Sequence, residues 1–596
     1  MHKQKSSSFS DICLSSTKFV WKLAGTMLVS FCWVSMAASP SWGQSQRVDT
    51  ELQIGVVQRF GSKANDSLTV KATSGEKLKL RYQTIDGEAI VHTESVKLQV
   101  AMRPLPEPIL QERVVLSSHR SFESAEQSAL LWRARGIETE IAHPDRWQVW
   151  AKRSVYHTPL LRRLLLKSLK AHGDDTSYME TKVLRQFPQA FWILEGYRYN
   201  RHQLDIISGK DLIQVSRELD GQSIKHLYGG SLRLQLNAYG SYTLVNKVPL
   251  ETYLRGVVPH EIGAEASEAA LEAQAILART YVLRNLRRFA IDDYQLCATP
   301  ECQVYKGLAQ TYGAVDKAIA ATKGLVLTYN NQLVDALYSS TTGGITAPYS
   351  DIWDGPERPY LTAVVDSVGN VWDLDNKSLA SESNFRSFIN LKKGFNEEDW
   401  DWFRWRYETS LSHMTKFINK YLKRRKHPQA GFQKIHWVQV VERSPAGRVL
   451  KMEVQTDLGR IEIEKDRIRN AFWAPISTLF YIEPLYSDDR TLKGYAFVGG
   501  GFGHGVGLSQ AGSHRLGNLG WSSERILSFY FPGTHIQQIH EEIIFWQHPP
   551  STNASAGLSN LYQGNVVSGY YIVHKLASTI TAFSKPVFKR ICSNQH

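Results

Sequence analysis

The chain has 596 residues, too many for one small core, and 42% hydrophobic with 21% charged residues excludes a disordered protein. A formal net charge of +13 at pH 7 points to an anionic partner, such as a phospholipid surface or an acidic wall polymer. No nucleic-acid-binding signature accompanies that charge, so nucleic acid is set aside.

At the start, Lys18 and Lys22 precede an uncharged apolar run from Leu23 to Ala38, and Ser41-Trp42-Gly43 follow. This is the plan of a secretory signal over residues 1–43. A retained membrane anchor is the alternative, since the run is only slightly short for a span. Cys32 follows Phe31, which does not suit a lipoprotein cleavage site. No later stretch is long and apolar enough to cross a membrane, so the mature protein is expected to be exported, to a periplasm or cell wall, without a stable span. Cys13 and Cys32 would leave with the signal and Cys592 is odd, which leaves Cys297 and Cys302 as a close pair. In an oxidising compartment such a pair reads as a disulfide before a metal site.

Residues 47–108 alternate apolar and polar positions (Gln53–Gln58, Ser67–Ala72, Lys77–Gln83, Ser95–Ala101) and predict a small β-rich unit. Arg103-Pro-Leu-Pro-Glu-Pro108 reads as a linker. Residues 112–172 predict a strand at Arg113–Ser117, a helix at Phe122–Arg135 stopped by Gly136, and strands at Ile137–Ile141 and Trp147–Lys152. A second helix is predicted from Pro159 to Lys170. This order resembles a SPOR domain, a ferredoxin-like α+β family that binds septal glycan stripped of its peptides. A generic α+β unit is the alternative. Residues 173–227 carry no clear chemistry.

From Tyr228 the pattern sharpens. Leu232, Leu234 and Leu236 alternate, a Tyr-Gly turn follows, and Tyr242, Leu244 and Val245 return as a hairpin. The hairpin leads into Val248-Pro-Leu-Glu-Thr-Tyr-Leu-Arg-Gly-Val-Val-Pro-His-Glu261 and an alanine-rich helix ending near Arg288. Ser267 is the expected N-cap, with Glu268 in the first turn. Leu271, Ala275, Ala278 and Val282 predict one apolar face of mostly small side chains. Arg279 interrupts that apolar tract and needs a partner, for which Glu261 is the candidate.

These residues, with Ala273-Gln-Ala-Ile-Leu-Ala-Arg-Thr-Tyr281, resemble the sporulation stage II protein D family. So do Cys302-Gln-Val-Tyr-Lys-Gly307, Tyr338-Ser-Ser-Thr-Thr-Gly-Gly344 with Trp353 and Pro359-Tyr-Leu361, and Gly501-Phe-Gly-His-Gly-Val-Gly-Leu-Ser-Gln510. Ile526-Leu-Ser-Phe-Tyr-Phe-Pro-Gly-Thr534 completes a resemblance over Tyr228–Ile536. Several ordered blocks are more specific than one glycine motif. The resemblance implies a mixed α/β core at 228–540 inside an α+β, multidomain chain. It implies a lytic transglycosylase acting on peptide-stripped peptidoglycan strands, with Glu261 as catalytic acid and Arg279 as the helix arginine.

The same domain occurs in amidase enhancers. The second implied role is therefore a non-catalytic activator of an N-acetylmuramoyl-L-alanine amidase, or a wall-binding scaffold. No cofactor is required for the chemistry. Some members hold zinc through a Cys/His cluster near the Gln-Val-Tyr segment, so Cys297 and Cys302 are open to structural zinc as well as to a disulfide. Glu301 stands where a His often precedes the cysteine, and Glu272 where Lys is common.

One carboxyl suffices for such a reaction because the muramic acid's own 6-hydroxyl attacks the anomeric carbon, whereas hydrolytic glycosidases use two. The acid must be protonated at working pH, so partial desolvation by Val257, Val258, Pro259 and Ile262 is expected to raise its pKa. Tyr281, Ser339, Ser340, Thr342, Gly343, Gly344, His504 and Gln510 are the expected substrate contacts, with a polar turn and a loop-holding histidine as the bland alternatives. The glycines of 499–507 lack the Lys-Ser/Thr of a phosphate loop and instead predict close approach to a glycan or a neighbouring strand. Trp400, Trp402, Trp405 and the basic Lys420–Lys426 fall in an expected insertion, about 380–430. Clustered tryptophans read first as packing and second as sugar-stacking rings. The tail, 541–596, has no assigned role.

Overall fold

The computed structural model describes residues 50–546, apart from 64–65, 175, 220–221 and 426. The expected signal segment, Cys13, Cys32, Cys592 and the tail from 547 lie outside the described residues. The fold is α+β, and no described helix is long and apolar enough to cross a membrane.

The first alternating segment forms β1 (Glu51–Phe60), followed by β2 (Ser67–Ala72), β3 (Leu78–Thr84), β4 (Gly87–Thr93) and β5 (Ser95–His119). The predicted α+β unit supplies α1 (Phe122–Ala134), β6 (Thr139–Ala142), β7 (Trp147–Ala151), α2 (Pro159–Ala171) and β8 (Tyr178–Leu194). Then come β9 (Tyr197–Asn200), β10 (Leu204–Ser208), β11 (Leu212–Leu219), β12 (Gln222–Gly229), β13 (Ser231–Leu236) and β14 (Tyr242–Pro249).

These strands do not respect the expected boundaries. β1 pairs antiparallel with β14, Leu52 opposite Val248, and β13, β10, β3 and β4 extend that sheet. The second sheet runs β12-β11-β2-β5-β7-β6, with β8 on β5. The N-terminal β-rich segment therefore supplies strands to two shared sheets rather than forming a separate unit. Burial explains the sharing: β14 is buried along nearly its whole length and needs a strand on each side.

The expected proline linker is also corrected. Pro104 and Ile109 pair with Gln186 and Leu184, so the prolines occupy a bulge within the long β5–β8 ribbon. A strand edge or bulge is where a residue without an N–H is tolerated. The boundary expected at Tyr228 falls inside β12. The chain passes between sheets at Gly230, which has φ +75° and where a Cβ would stand 2.1 Å from the Lys247 carbonyl oxygen.

Residues 112–172 do adopt the predicted order, and β8 completes it. The four strands lie β8-β5-β7-β6, all antiparallel, with two helices, which is the split βαβ arrangement. Ser121 and Thr158 cap the helices by accepting from Ser124 N–H and Leu161 N–H. The unit is fastened to the core through rings and charges. Trp147 lies 5.1 Å from Phe122 and 5.0 Å from Phe289, centroid to centroid. Glu126 on α1 takes a forked pair from Arg287, at 2.6 and 2.7 Å, and Glu123 pairs with Arg288.

The core continues with α3 (Leu250–Arg255), α4 (Val258–Glu261) and α5 (Glu268–Arg284). Ser267 Oγ accepts from Ala270 N–H, as its sequence position predicts. α5 is not amphipathic: every residue from Ala273 to Arg284 is buried, so it is a central strut enclosed on all sides. Asn285 caps it, with its side chain donating to the Tyr281 carbonyl at 2.8 Å.

The expected insertion is part of a larger body. Strand Trp405–Ser410 pairs with Leu492–Gly499, and helix Leu411–Arg424 shares one apolar cluster with Phe480 and Phe497. That common core sets the unit at about 405–499 rather than 380–430.

Candidate active site

Glu261 ends α4, whose first turn carries Pro259, where a missing N–H costs nothing. His514 Nε2–H donates to the Ile262 carbonyl at 2.8 Å and ties this segment to the helix Gln510–Asn518. The carboxyl looks into a cleft of about 680 Å³. Val304 N–H donates to its Oε1 at 2.5 Å. Burial raises the Glu261 pKa, and the Val304 N–H, the Gln510 amide and the Tyr338 hydroxyl oppose that rise without cancelling it.

A raised carboxyl predicts a pH signature. Because the folded pKa exceeds the unfolded one, Glu261 weakens the fold as pH rises from the unfolded value, about 4.3, through the folded value. Glu261→Gln should therefore melt at the same temperature as the parent at low pH and above it at neutral pH. Melting curves across pH check this, and an equal or lower neutral melting point contradicts it.

Other carboxyls line the cleft, and each stands apart from this condition. Asp466 is shared by Arg120 and Arg469, at 3.1 and 3.0 Å. Glu123 is paired with Arg288. Burial pushes Glu301 up, but His143, whose Nε2 lies 3.1 Å away, with Arg288 and Arg120, brings it below the usual value. Asp145 is exposed.

The expected site residues divide. Tyr281, Ser339, Ser340, His504 and Gln510 line the cleft with Glu261. Ser339 Oγ and the Trp353 indole N–H are buried there with no partner within the protein, which leaves both for a ligand. His504 Nδ1 accepts from Val506 N–H at 3.0 Å, and burial pulls its pKa down to about 4, so it is neutral and holds its loop while facing the cleft.

Thr342, Gly343 and Gly344 are corrected. Their three N–H groups and the Thr342 hydroxyl all donate to buried Glu397, at 2.5–2.9 Å, so none is offered to a substrate. The Ser509 hydroxyl joins the same carboxylate. A parallel pairing of Tyr338–Ser339 with Leu508–Ser509 brings the two loops together. Gly507 serves this approach: it has φ +76°, and a Cβ there would lie 2.1 Å from the Leu337 carbonyl oxygen. Between a glycan and a neighbouring strand, this glycine serves the strand.

Arg279 is corrected as well. It is fully buried, and its fork bonds Glu251 at 2.8 and 2.7 Å while Nη1 donates to the Leu325 carbonyl at 3.0 Å. It lines no part of the cleft and is not Glu261's partner. Its geometry is that of a strut linking α3 to α5 and to the strand beginning at Leu325. Arg279→Ala should cost about 3–5 kcal/mol by leaving Glu251 without its fork. Denaturant unfolding measures this, and a cost under about 1 kcal/mol contradicts the assignment.

Cys297 and Cys302 are joined as a disulfide with Cα atoms 5.6 Å apart, so neither thiolate is available to a metal. Among the described residues no group of three or more His, Cys, Asp or Glu could hold an ion, and the residues present do not fit structural zinc. Glu272 accepts from the Ser523 hydroxyl at 2.9 Å, outside the cleft.

Sequence reasoning missed Tyr338, which faces Glu261 while accepting from Gln303 Nε2 at 3.1 Å. Its place at the head of the Ser-Ser-Thr-Thr block was the available signal. It also missed the wall made by Arg120–Glu123 and His143–Trp147, for which no local signal exists. The tryptophans part company: Trp405 is buried and donates to the Gly501 carbonyl, whereas Trp402 is 41% exposed, 4.8 Å from Phe502 on the cleft edge.

A family model described as "Stage II sporulation protein" matches residues 238–329 and so contains Glu261, α5 and the Gln-Val-Tyr segment. Over that segment the chain is similar to the stage II sporulation protein family. A second model, "Domain of unknown function (DUF8618)", matches residues 347–507, which hold Glu397, Trp402 and His504. Among similar proteins is the "Amidase enhancer" of Bacillus subtilis (strain 168), 28% identical over 404 residues, or 60% of this chain and 52% of that protein. The "Stage II sporulation protein D" of the same organism is 26% identical over 316 residues, 49% of this chain and 76% of that protein. Its namesake in Bacillus amyloliquefaciens gives the same identity and coverage. The chain thus spans about half the length of the amidase enhancer. Glu261 and the loop carrying His504 lie in two different matched segments, and the wall at Arg120–Trp147 belongs to neither.

Proposed function

We propose that this protein is an exported lytic transglycosylase that cleaves peptide-stripped peptidoglycan strands in the periplasm or cell wall. The observation that carries the reading is Glu261: a buried carboxyl with a raised pKa, aimed into a cleft whose other carboxyls are ion-paired, held ionised or exposed. A protonated acid in that setting can give its proton to the glycosidic oxygen as the bond from the anomeric carbon breaks. The ionised carboxyl then accepts the proton of the muramic acid 6-hydroxyl as that oxygen closes on the anomeric carbon. One group serves both steps, the proton returns to Glu261, and no water is consumed.

The rest of the cleft supports a sugar substrate. Ser339 Oγ and Trp353 Nε1 present unpaired polar atoms, and Phe502, with Trp402 beside it, presents an exposed ring in the lining. The SPOR-like order at 112–172, with its split βαβ arrangement, supports recognition of the same stripped strands. The test is incubation of the protein with amidase-treated peptidoglycan and mass analysis of the new chain ends. Anhydro-muramic acid ends support the reading, and reducing ends oppose it.

A second reading rests on the relative named "Amidase enhancer". In it the protein binds stripped strands and stimulates a partner amidase without cutting. Stimulation of an amidase with no strand products would favour that reading.

A further inference from the structure

Part of the cleft lining carries positive charge that no ion pair among the described residues balances. Arg146 lies in the turn before β7, and Arg424 ends the helix Leu411–Arg424; both line the cleft that holds Glu261. Arg425 follows on the rim of the adjoining depression, which Arg146 also lines. Among the described residues none of the three makes an ion pair. The neighbouring pair Arg120 and Arg469 shares the single carboxylate of Asp466. Asp145 is exposed and pairs with none of them.

Burial first, then the charge of Arg425 and more weakly that of Arg424, lowers the Arg146 pKa against an opposing effect of Tyr421. Lys465 and Arg467, on the same side, are already engaged by Asp354 at 2.8 and 3.4 Å. Arg146 is half-buried and Arg424 and Arg425 are exposed, so the like charges gather where the cleft opens and an entering anion would relieve their repulsion. Two chain segments far apart in sequence supply the charges, one from the split βαβ unit and one from the 405–499 body.

We propose that Arg146 and Arg424 form an anion subsite of the Glu261 cleft that receives a carboxylate carried by the glycan strand. The carboxylate is the lactyl group of muramic acid, which is free only where the stem peptide has been removed. The inference rests on the glycan-strand reading above and adds the side chains that would sense stripping. Guanidinium forks match carboxylate geometry, and an amide-linked peptide in the same place offers no charge. Neither residue lies in the segment matched to the sporulation family. The selectivity would thus be supplied by parts of the chain outside that segment.

The experiment measures strand binding by the full chain in a Glu261→Gln background, so that no strand is consumed. Two probes are used: amidase-stripped strands, and the same strands with their carboxyls converted to amides. Arg146→Gln with Arg424→Gln should weaken binding to the free-carboxyl strands by about tenfold or more per guanidinium. It should leave binding to the amidated strands unchanged. Arg146→Lys with Arg424→Lys should recover part of the loss, and melting points equal to the parent's exclude misfolding. Equal loss on both probes, or no loss on the free-carboxyl strands, overturns the subsite. Failure of the cleavage reading would show separately, as absence of anhydro ends from the unmutated protein.

Discussion

Glu261→Gln is expected to reduce release of glycan fragments by about a thousandfold, within the range that loss of a general acid produces. Gln keeps the oxygen that accepts from Val304 N–H, so the loop and the cleft should stay as they are. On the proposed reading, what is lost is a dissociable proton, needed first on the leaving oxygen and then taken back from the attacking hydroxyl. On the same reading strand binding should remain near the parent value, because Ser339, Trp353 and Phe502 still line the cleft. A loss of binding equal to the loss of rate would mark Glu261 as a contact rather than the acid. Full retained rate would remove it from the chemistry altogether.

Glu397→Ala is expected to destabilise the protein by about 4 kcal/mol or more. One buried carboxylate accepts from the N–H groups of Thr342, Gly343 and Gly344 and from the hydroxyls of Thr342 and Ser509. Removing it strands five donors in the interior, each costing about 1–3 kcal/mol if no water reaches it. Burial, and next the charge of Glu397, pushes the Asp366 pKa well above the usual carboxyl range. Tyr530 and Asn396 also donate to Asp366, each at 2.8 Å. Denaturant unfolding gives the magnitude, and a cost below about 1 kcal/mol would show that the loop holds itself. Because Ser339 and Ser340 belong to the same loop, activity should fall with stability in this variant.

How much of this was legible follows from the range of each interaction. Local signals carried the helices of 122–171, the β13–β14 hairpin, the Ser267 cap and the place of Glu261 just before α5, though not the short helix α4 that it ends. All depend on residues within a few positions of one another. The family blocks brought the Ser339 and His504 loops to one cleft, which spacing alone could not do. Partners chosen over long separations were not legible. Arg279 needed a carboxylate, and two stood in the same motif, Glu251 and Glu261. Only packing shows that α3 presents Glu251 to α5. The Thr-Gly-Gly block reads as a substrate loop because it offers hydroxyls and backbone N–H groups suited to a sugar, but those N–H groups meet an anion of the protein itself. That anion is Glu397, more than fifty positions later.

The sheet boundaries failed for a similar reason. A strand such as β1 shows its buried face in the sequence but not its neighbour, and its neighbour is β14. The proline run of 103–108 reads locally as a linker, and only its pairing with β8, far along the chain, makes it a bulge. The cleft wall at Arg120–Trp147 was hidden most deeply, since those residues read locally as helix entry and turn.

The central claim is that the bond is cut without water. The most direct measurement runs the reaction on peptide-stripped strands in water enriched in the heavy oxygen isotope, followed by mass analysis of the new muramic acid ends. Attack by the 6-hydroxyl predicts anhydro ends that carry no heavy oxygen, absent with Glu261→Gln. Reducing ends that have gained one heavy oxygen would contradict the account and require a second acid or base in the cleft.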